Sequence, residues 1–302
     1  MKEYKRKITV GIPTLNSEEN ICGLVRAIIG QRGSNFELVE VIVYSDGSTD
    51  STVSNLKAIS NKKLKLIVSR KTRGFAHGLQ VLIDNFKGDL LVVLNDDLVL
   101  SSERSISSLV AAFGDKNVGL VCGNYVPLEP KTFIEKAVLS SFNAYSKLKM
   151  SLRNGNNLYT CDGKVLAFSK GFAKKLRLEA KQMGNADTII YLSCLDLGYK
   201  YKFVKEKIVF FRLPQTIADL KNQTVRAKIS RALAVNRFGD LAVRELDLPK
   251  ALLLRELIIE FFKNPVGSLV LFFVNHVYVN LVNPSDTFFT TWNLARSTKK
   301  LN

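Results

Sequence analysis

The chain has 302 residues, 46% hydrophobic and 24% charged, which is enough to bury a core and excludes a disordered or fibrous protein. Its net charge is +17 and unevenly placed: residues 1–100 hold 14 Lys and Arg against 11 Asp and Glu, residues 101–302 hold 30 against 16. A basic half suits nucleic acid, an anionic membrane or an anionic substrate. Because no zinc-finger or RNA-binding aromatic pattern accompanies it, no nucleic-acid partner is expected.

The charged start, Met1 to Lys7, leads into a strand and not an apolar stretch, so no secretory signal is expected. Four scattered cysteines, Cys22, Cys122, Cys161 and Cys194, lack metal-ligand spacing and read as reduced thiols. Apolar runs at 8–12, 39–44, 64–68, 90–94 and 118–122 read as buried strands. Helical patterns alternate with them: 18–29 with Ser17 as cap, a helix ending near Ile59 capped by Ser48 or Thr49, 74–86, and one capped near Ser101 or Ser102. This alternation predicts an α/β fold with a mostly parallel sheet flanked by helices. Residues 126–225 are less regular, with a loop at 154–157, strands at 164–169, 199–204 and 208–212, and a helix at 187–197 ended by Gly198. Beyond them lies a helical tail. Residues 251–262 (ALLLRELIIEFF) are apolar on a broad face, and 266–282 carry no formal charge. That length is short for a bilayer span, and Asn275, His276 and Asn280 interrupt it. A helix in the membrane interface, a core helix and an oligomer contact are the alternatives; the adjoining basic surplus favours the membrane.

Polar clusters close several of these runs. In open α/β sheets ligands bind outside the carboxyl ends of the strands, so Asn16, Asp46 and Asp97 should meet in one crevice. Gathered carboxylates repel unless a cation or a hydrogen-bonding ligand joins them, which points to a metal-assisted site for a phosphorylated nucleotide. Asn95-Asp96-Asp97 follows the strand at 90–94. Asp97 is the expected ligand for Mg²⁺ or Mn²⁺, with Asn95 or Asp96 on a ribose or a water; a plain capping turn is the other reading. Asp46 could accept a hydrogen bond from a base or ribose, or serve only the turn with Gly47. Arg73 and Gly74, at the head of a helix, suit a diphosphate, although from these residues alone a solvated basic loop is the favoured reading. Asp187 opens a helix, where an acid is often only a dipole partner.

Together these residues resemble the family 2 glycosyltransferases of the GT-A fold, over residues 7–215. Pro13-x-x-Asn16-x-Glu18 is similar to the family's opening motif, and Val43 to Asp50 (VYSDGSTD) to its uridine-contacting motif, with Ser45 where a first Asp is common. Arg73-Gly74-x-x-x-Gly78 resembles the third segment, with His77 for the usual Asn. Asn95-Asp96-Asp97 resembles the D-x-D metal motif. Ala186-Asp187, followed by a helix ending Gly198-Tyr199, resembles the segment that carries the catalytic base, without its first acid. Gln223-Thr224-Val225-Arg226 resembles the Q-x-x-R-W motif of membrane-bound processive synthases, with Ala227 for Trp.

The resemblance implies a GT-A domain over residues 1–225, with a nucleotide-binding half to about 125 and an acceptor half after it, and a helical, membrane-associated region at 226–302. It implies an inverting glycosyltransferase using a nucleotide-diphosphate sugar, UDP-linked, and Mg²⁺ or Mn²⁺. Pro13, Asn16, Glu18, Asp46, Arg73, Gly74, Asn95 and Asp96 would hold the donor, Asp97 the metal, and Gln223 and Arg226 the acceptor or diphosphate. Asp187 would be the base. The acceptor would be a lipid-linked or surface glycan at the cytoplasmic face of the membrane. A non-catalytic sugar-nucleotide or membrane-binding protein on the same scaffold is the alternative.

Overall fold

In the parallel half of the sheet the inner strands are largely buried on both faces, and their sequences carry correspondingly continuous apolar runs, while the edge strand at 64–69 is half-exposed. The computed structural model describes residues 5–178, 186–274 and 296–301, with the backbone alone at 221, 225–229 and 296. Strands β1 (Arg6–Thr14), β2 (Phe36–Asp46), β3 (Leu64–Ser69) and β4 (Leu90–Leu94) pair in parallel in the order β3-β2-β1-β4. Helices α1 (Ile21–Ile29), α2 (Thr52–Lys57) and α3 (Phe75–Asn85) connect them. The sheet then continues through β7 (Val165–Ser169), β6 (Val118–Pro127), β8 (Lys200–Phe211) and β5 (Leu98–Leu100). β7 runs antiparallel to β4 and β6, β5 antiparallel to β8, and β6 parallel to β8. The expected strands at 199–204 and 208–212 are one strand, and β5 is too short to give a periodic signal.

Side-chain alternation divides the core into two layers. Ile8, Val10 and Ile12 of β1 join Leu24, Val25 and Ile28 of α1, and Ile106 and Leu109 of α4 (Ser105–Ala111). On the other face Ile42, Tyr44, Leu91 and Val93 meet Leu79 and Leu82 of α3. Phe172 of α6 (Lys170–Lys175) and Ile190 and Tyr191 of α7 (Ala186–Asp196) complete that layer.

Three expected caps are corrected. α1 starts after Asn20; Ser17 instead takes its place in the turn, its N–H donating to Thr52 Oγ1 at 2.7 Å and its hydroxyl to the Asp96 carbonyl. α2 starts after Ser51, because Ser48 is engaged with Asn16 N–H and the Ser45 hydroxyl. α4 starts after Arg104, whose N–H donates to the Ser102 hydroxyl.

The region after β6 is more helical than its sequence suggests. α5 (Phe133–Ser151) begins with a capping box between Thr132 and Glu135. α8 (Ile217–Phe238) runs through position 225 and is followed by α9 (Asp240–Glu245), α10 (Lys250–Lys263) and α11 (Pro265–Phe273). Of the uncharged stretch 266–282, positions 275–282 lie outside the described residues. No helix among the described residues is long and apolar enough to cross a membrane.

α10 is inverted relative to an ordinary surface helix. Its buried residues are Glu256 and Glu260, paired with Lys147 of α5 and with Arg255 and Lys263 of its own helix. Its exposed face carries Leu254, Leu257, Ile258, Ile259 and Phe262, the last 79% accessible, and α11 adds Val266, Leu269, Phe272 and Phe273.

Candidate functional site

The carboxyl ends of β1, β2 and β4 open on one side of the sheet, and the residues after them are knitted together by side chain to backbone bonds. Asn16 adopts a left-handed conformation (φ 52°), which asparagine tolerates. Its N–H donates to Ser48 Oγ at 3.1 Å and its Oδ1 accepts Thr49 N–H at 2.8 Å. Glu18 accepts Ser51 N–H at 2.8 Å, and its own N–H donates to Asp50. Pro13, buried, stands opposite Tyr44 one residue before the paired part of β1 ends at Thr14. Asn16 and Glu18 thus tie the loop after β1 to the loop after β2.

Asp46 does the same for the loop after β3. Fully buried, its carboxylate accepts Arg73 N–H at 3.0 Å, Gly74 N–H at 2.7 Å and the Tyr44 hydroxyl at 3.0 Å. The loop can approach because position 47 is glycine. Its φ is +77°, and a Cβ there would lie 2.9 Å from the Thr72 nitrogen. Gly74 precedes α3, the Arg73 side chain is exposed, and His77 stands edge-on to Tyr44 at 5.9 Å. Burial pushes the Tyr44 hydroxyl above its usual range.

The Asn95-Asp96-Asp97 turn lies next to this. Asp96 is buried and accepts the Thr14 hydroxyl at 2.6 Å, Leu15 N–H at 3.3 Å and the Lys299 ammonium at 2.9 Å. Asp97 is half-buried and accepts the Thr298 hydroxyl at 3.1 Å; burial, then the neighbouring Asp96, raises its carboxyl above the ordinary range. Asn95 Oδ1 is a buried acceptor with no hydrogen-bond partner. A buried orphan acceptor two residues from a partly accessible carboxylate suits a hard divalent cation that completes its shell with diphosphate oxygens and water. Among the described residues no group of three or more His, Cys, Asp or Glu side chains could hold a metal by itself.

The sheet reversal at β7 joins this turn to Asp187. Because β7 runs against β4, it is the start of β7 that meets the end of β4: Leu94 pairs with Val165, and Asn95 N–H donates to the Lys164 carbonyl at 3.2 Å. In the same turn Gly163 N–H donates to Asp187 Oδ2 at 3.2 Å, while Asp187 Oδ1 accepts Thr188 N–H at 2.8 Å. Burial, and then the Asp162 carboxylate, push the Asp187 carboxyl up to about 6. Asp162 is itself held below the ordinary range: burial pushes it upward, but the Lys164 ammonium, at 3.0 Å, and the Lys164 N–H outweigh this. Lys164 also lies over the Tyr125 and Phe211 rings, 4.7 and 4.6 Å from their centres. Behind it the buried Lys149 ammonium bonds Tyr125 Oη at 2.6 Å, and burial lowers its pKa to about 8.

Asn95, Asp96, Asp97 and Asp187 are therefore linked through one turn. Gln223 and Arg226 sit within α8; Gln223 is half-exposed, and the side chain of Arg226 lies outside the described residues. Sequence reasoning missed Asp162 and Lys164, whose Asp-Gly-Lys signal precedes an apolar strand instead of ending one. It also missed Thr298 and Lys299, which no local pattern marks.

A curled, mixed sheet with nucleotide-type loops at the ends of its parallel strands defines the GT-A class of fold. The structure is similar to the mannosyltransferase PcManGT from Pyrobaculum calidifontis in complex with GDP-Man and Mn²⁺ (TM-score 0.61, 17% identity, covering 94% of this chain and 78% of that one). Residues 9–177 match the model of glycosyl transferase family 2, and the chain belongs to that family. It is 33% identical over 92 residues to an uncharacterised glycosyltransferase of Haemophilus influenzae, covering 30% of this chain and 28% of the relative. It is 21% identical over 141 residues to the Escherichia coli UDP-Glc:α-D-GlcNAc-diphosphoundecaprenol β-1,3-glucosyltransferase WfgD, covering 47% of this chain and 54% of the relative. The matched stretches thus span about half, or less, of the lengths of these curated relatives.

Proposed function

We propose that this protein is an inverting, metal-dependent glycosyltransferase that moves a hexose from a UDP-linked donor to a lipid-linked or surface-glycan acceptor. The observation that carries this reading is the turn at Gly163 and Lys164. It joins a metal-type oxygen pair, Asn95 and Asp97, to a carboxylate whose pKa of about 6 suits a general base. The relatives add weight: WfgD is named for a UDP-glucose donor and a diphosphoundecaprenol acceptor, and PcManGT was solved with GDP-Man and Mn²⁺.

In this reading Pro13, Asn16, Glu18, Asp46, Arg73 and Gly74 form the nucleotide subsite. Asp46 acts by holding the amides of residues 73 and 74 in place; Asn95 would face the ribose or diphosphate, while Asp96, buried against Thr14, Leu15 and Lys299, would act on the donor only through them. Asp97 and the orphan Asn95 Oδ1 would hold Mg²⁺ or Mn²⁺, which supplies charge neutralisation on the departing diphosphate. The acceptor hydroxyl gives its proton to an Asp187 oxygen as its own oxygen bonds the anomeric carbon. The bond from that carbon to the diphosphate oxygen breaks on the opposite face, and the configuration inverts. Asp162, fixed by Lys164, keeps Asp187 basic enough to take the proton. Gln223 and Arg226 flank the acceptor or diphosphate.

The inverted α10 supports attachment to the cytoplasmic face of an anionic membrane. Beside its exposed apolar residues stand Arg255 and Lys263, their side chains 66% and 57% accessible and ion-paired with Glu256 and Glu260. Apolar burial would supply most of the attachment and cations about 1 kcal/mol each.

The test is donor hydrolysis and transfer across a panel of UDP- and GDP-sugars, with Mn²⁺ and with EDTA, followed by NMR assignment of the product's anomeric configuration. Transfer that needs the cation and inverts configuration is expected. Retention of configuration, or full activity in EDTA, would overturn the mechanism.

A further inference from the structure

Residues 296–301 cross the ends of β1 and β4 as a strap built on buried groups. The Ser297 hydroxyl donates to the Asp219 carboxylate and accepts Gln215 N–H at 3.0 Å. Arg212 donates to the carbonyls of Lys300 at 3.3 Å and Leu301 at 3.0 Å. That guanidinium is fixed by the Glu135 carboxylate at 3.3 Å, with both side chains almost inaccessible. Asn20 Nδ2 donates to the Lys299 carbonyl. The strap is thereby held at both sides of residues 298 and 299, and these two side chains reach the acidic turn.

Lys299 places its ammonium among three oxygens: Asp96 Oδ2 at 2.9 Å, the Leu15 carbonyl and the Asn16 carbonyl at 3.3 Å. An ammonium has three hydrogens to give, so this cradle uses its capacity fully. Its side chain is 13% accessible and that of Asp96 only 4%. Thr298 gives its hydroxyl to Asp97 at 3.1 Å. The two aspartates are therefore unlike: one is paired with a fixed cation, the other meets a neutral hydroxyl.

We infer that Lys299 is a built-in counter-cation of the donor site, a positioning residue that leaves Asp97 as the carboxylate presenting net charge to a divalent cation. This rests on the reading that Asp97 binds that cation. Two uncompensated carboxylates side by side would hold a free divalent ion; with one of them cancelled, the site favours the ion already carried by a nucleotide diphosphate. Lys299 would thus set selectivity for the metal–nucleotide complex over the bare metal.

The test uses Mn²⁺ alone, with free ion counted by electron paramagnetic resonance, on the full chain. Lys299→Met keeps the length of the side chain and removes its charge; it is expected to bind Mn²⁺ about tenfold more tightly than wild type. Asp96→Asn leaves Lys299 uncompensated beside Asp97 and is expected to bind about tenfold more weakly. The double variant restores charge balance and should return close to wild type. A strap that merely braces the fold would lower melting temperatures without this pattern of opposite signs and cancellation. If Lys299→Met fails to fold, Lys299→Gln and the Asp96→Asn arm read the same effect. Wild-type Mn²⁺ binding with no change in these variants overturns the counter-cation role alone. If no variant binds Mn²⁺, the role of Asp97 falls with it.

Discussion

Asp187→Asn should alter stability with a sign that depends on pH. The Asp187 carboxyl lies at about 6 in the folded chain against an ordinary 3.8, raised first by burial and then by Asp162. A carboxyl with a raised pKa is held more tightly by the folded state than by the unfolded one in its protonated form. Its contribution is fully present below about pH 4 and is lost as pH rises through 6. A shift of about two units corresponds to about 3 kcal/mol of destabilisation at pH 8. Asparagine removes that burden, but its single oxygen can accept from only one of the two N–H groups, Gly163 or Thr188, that the carboxylate accepts now. The lost bond costs about 1 kcal/mol.

Urea melts should therefore find Asp187→Asn more stable than wild type by about 2 kcal/mol at pH 8 and less stable by about 1 kcal/mol at pH 4. Turnover should fall roughly 10²–10⁴-fold with donor affinity kept, as for the loss of a general base. The wild-type rate should rise through a limb near pH 6 that the variant lacks. A variant destabilised equally at both pH values would refute the buried-charge argument. Unchanged turnover would reduce Asp187 to a helix-dipole residue.

The other predictions concern separate parts of the molecule. Asp97→Ala should abolish transfer and cation-dependent nucleotide binding, measured by calorimetry, while the melting temperature stays within a few degrees; activity near wild type would remove the metal role. Gly47→Ala should cost about 1–3 kcal/mol in urea melts and weaken nucleotide binding, since its Cβ meets the Thr72 nitrogen at a φ closed to most residues; a neutral result would mean the loop after β3 is freely displaced. Ile258→Glu with Phe262→Glu should abolish flotation with anionic vesicles and leave the melt unchanged, because both side chains are exposed. High salt should weaken the wild-type attachment only in part. A wild-type chain that stays off vesicles in low salt would end the membrane reading.

How much of this was legible in the chain depended on how local the physics is. The runs at 8–12 and 90–94 announced themselves because a parallel strand between helical layers is apolar at nearly every position. α5 was hidden because its inward face carries Glu135, Ser140 and Lys149, each buried against a specific partner or cap. α10 was seen as a helix, but nothing in its periodicity says that the glutamates face inward; that is decided by Lys147, more than a hundred residues earlier. Ser17 and Ser48 are reasonable helix caps that the tertiary structure uses elsewhere, whereas Ser102 bonds the Arg104 N–H just before α4 begins.

The same distinction runs through the site. Strand-end clusters could be read because parallel strands point their ends the same way, so Asn16, Asp46 and Asp97 all follow strand ends on one side of the sheet. Asp162 and Lys164 stand before a strand, and only its reversal against β4 brings that beginning beside the end of β4. Lys299 lies 203 residues from Asp96 in sequence, in a basic tail that reads as solvated surface. A cation fixed on one of two adjacent aspartates changes what the remaining carboxylate can hold. The formal motif is thus an incomplete description of the site's charge: the resemblance names Asp97, and in our proposal what that carboxylate would hold depends on a lysine that the pattern does not contain.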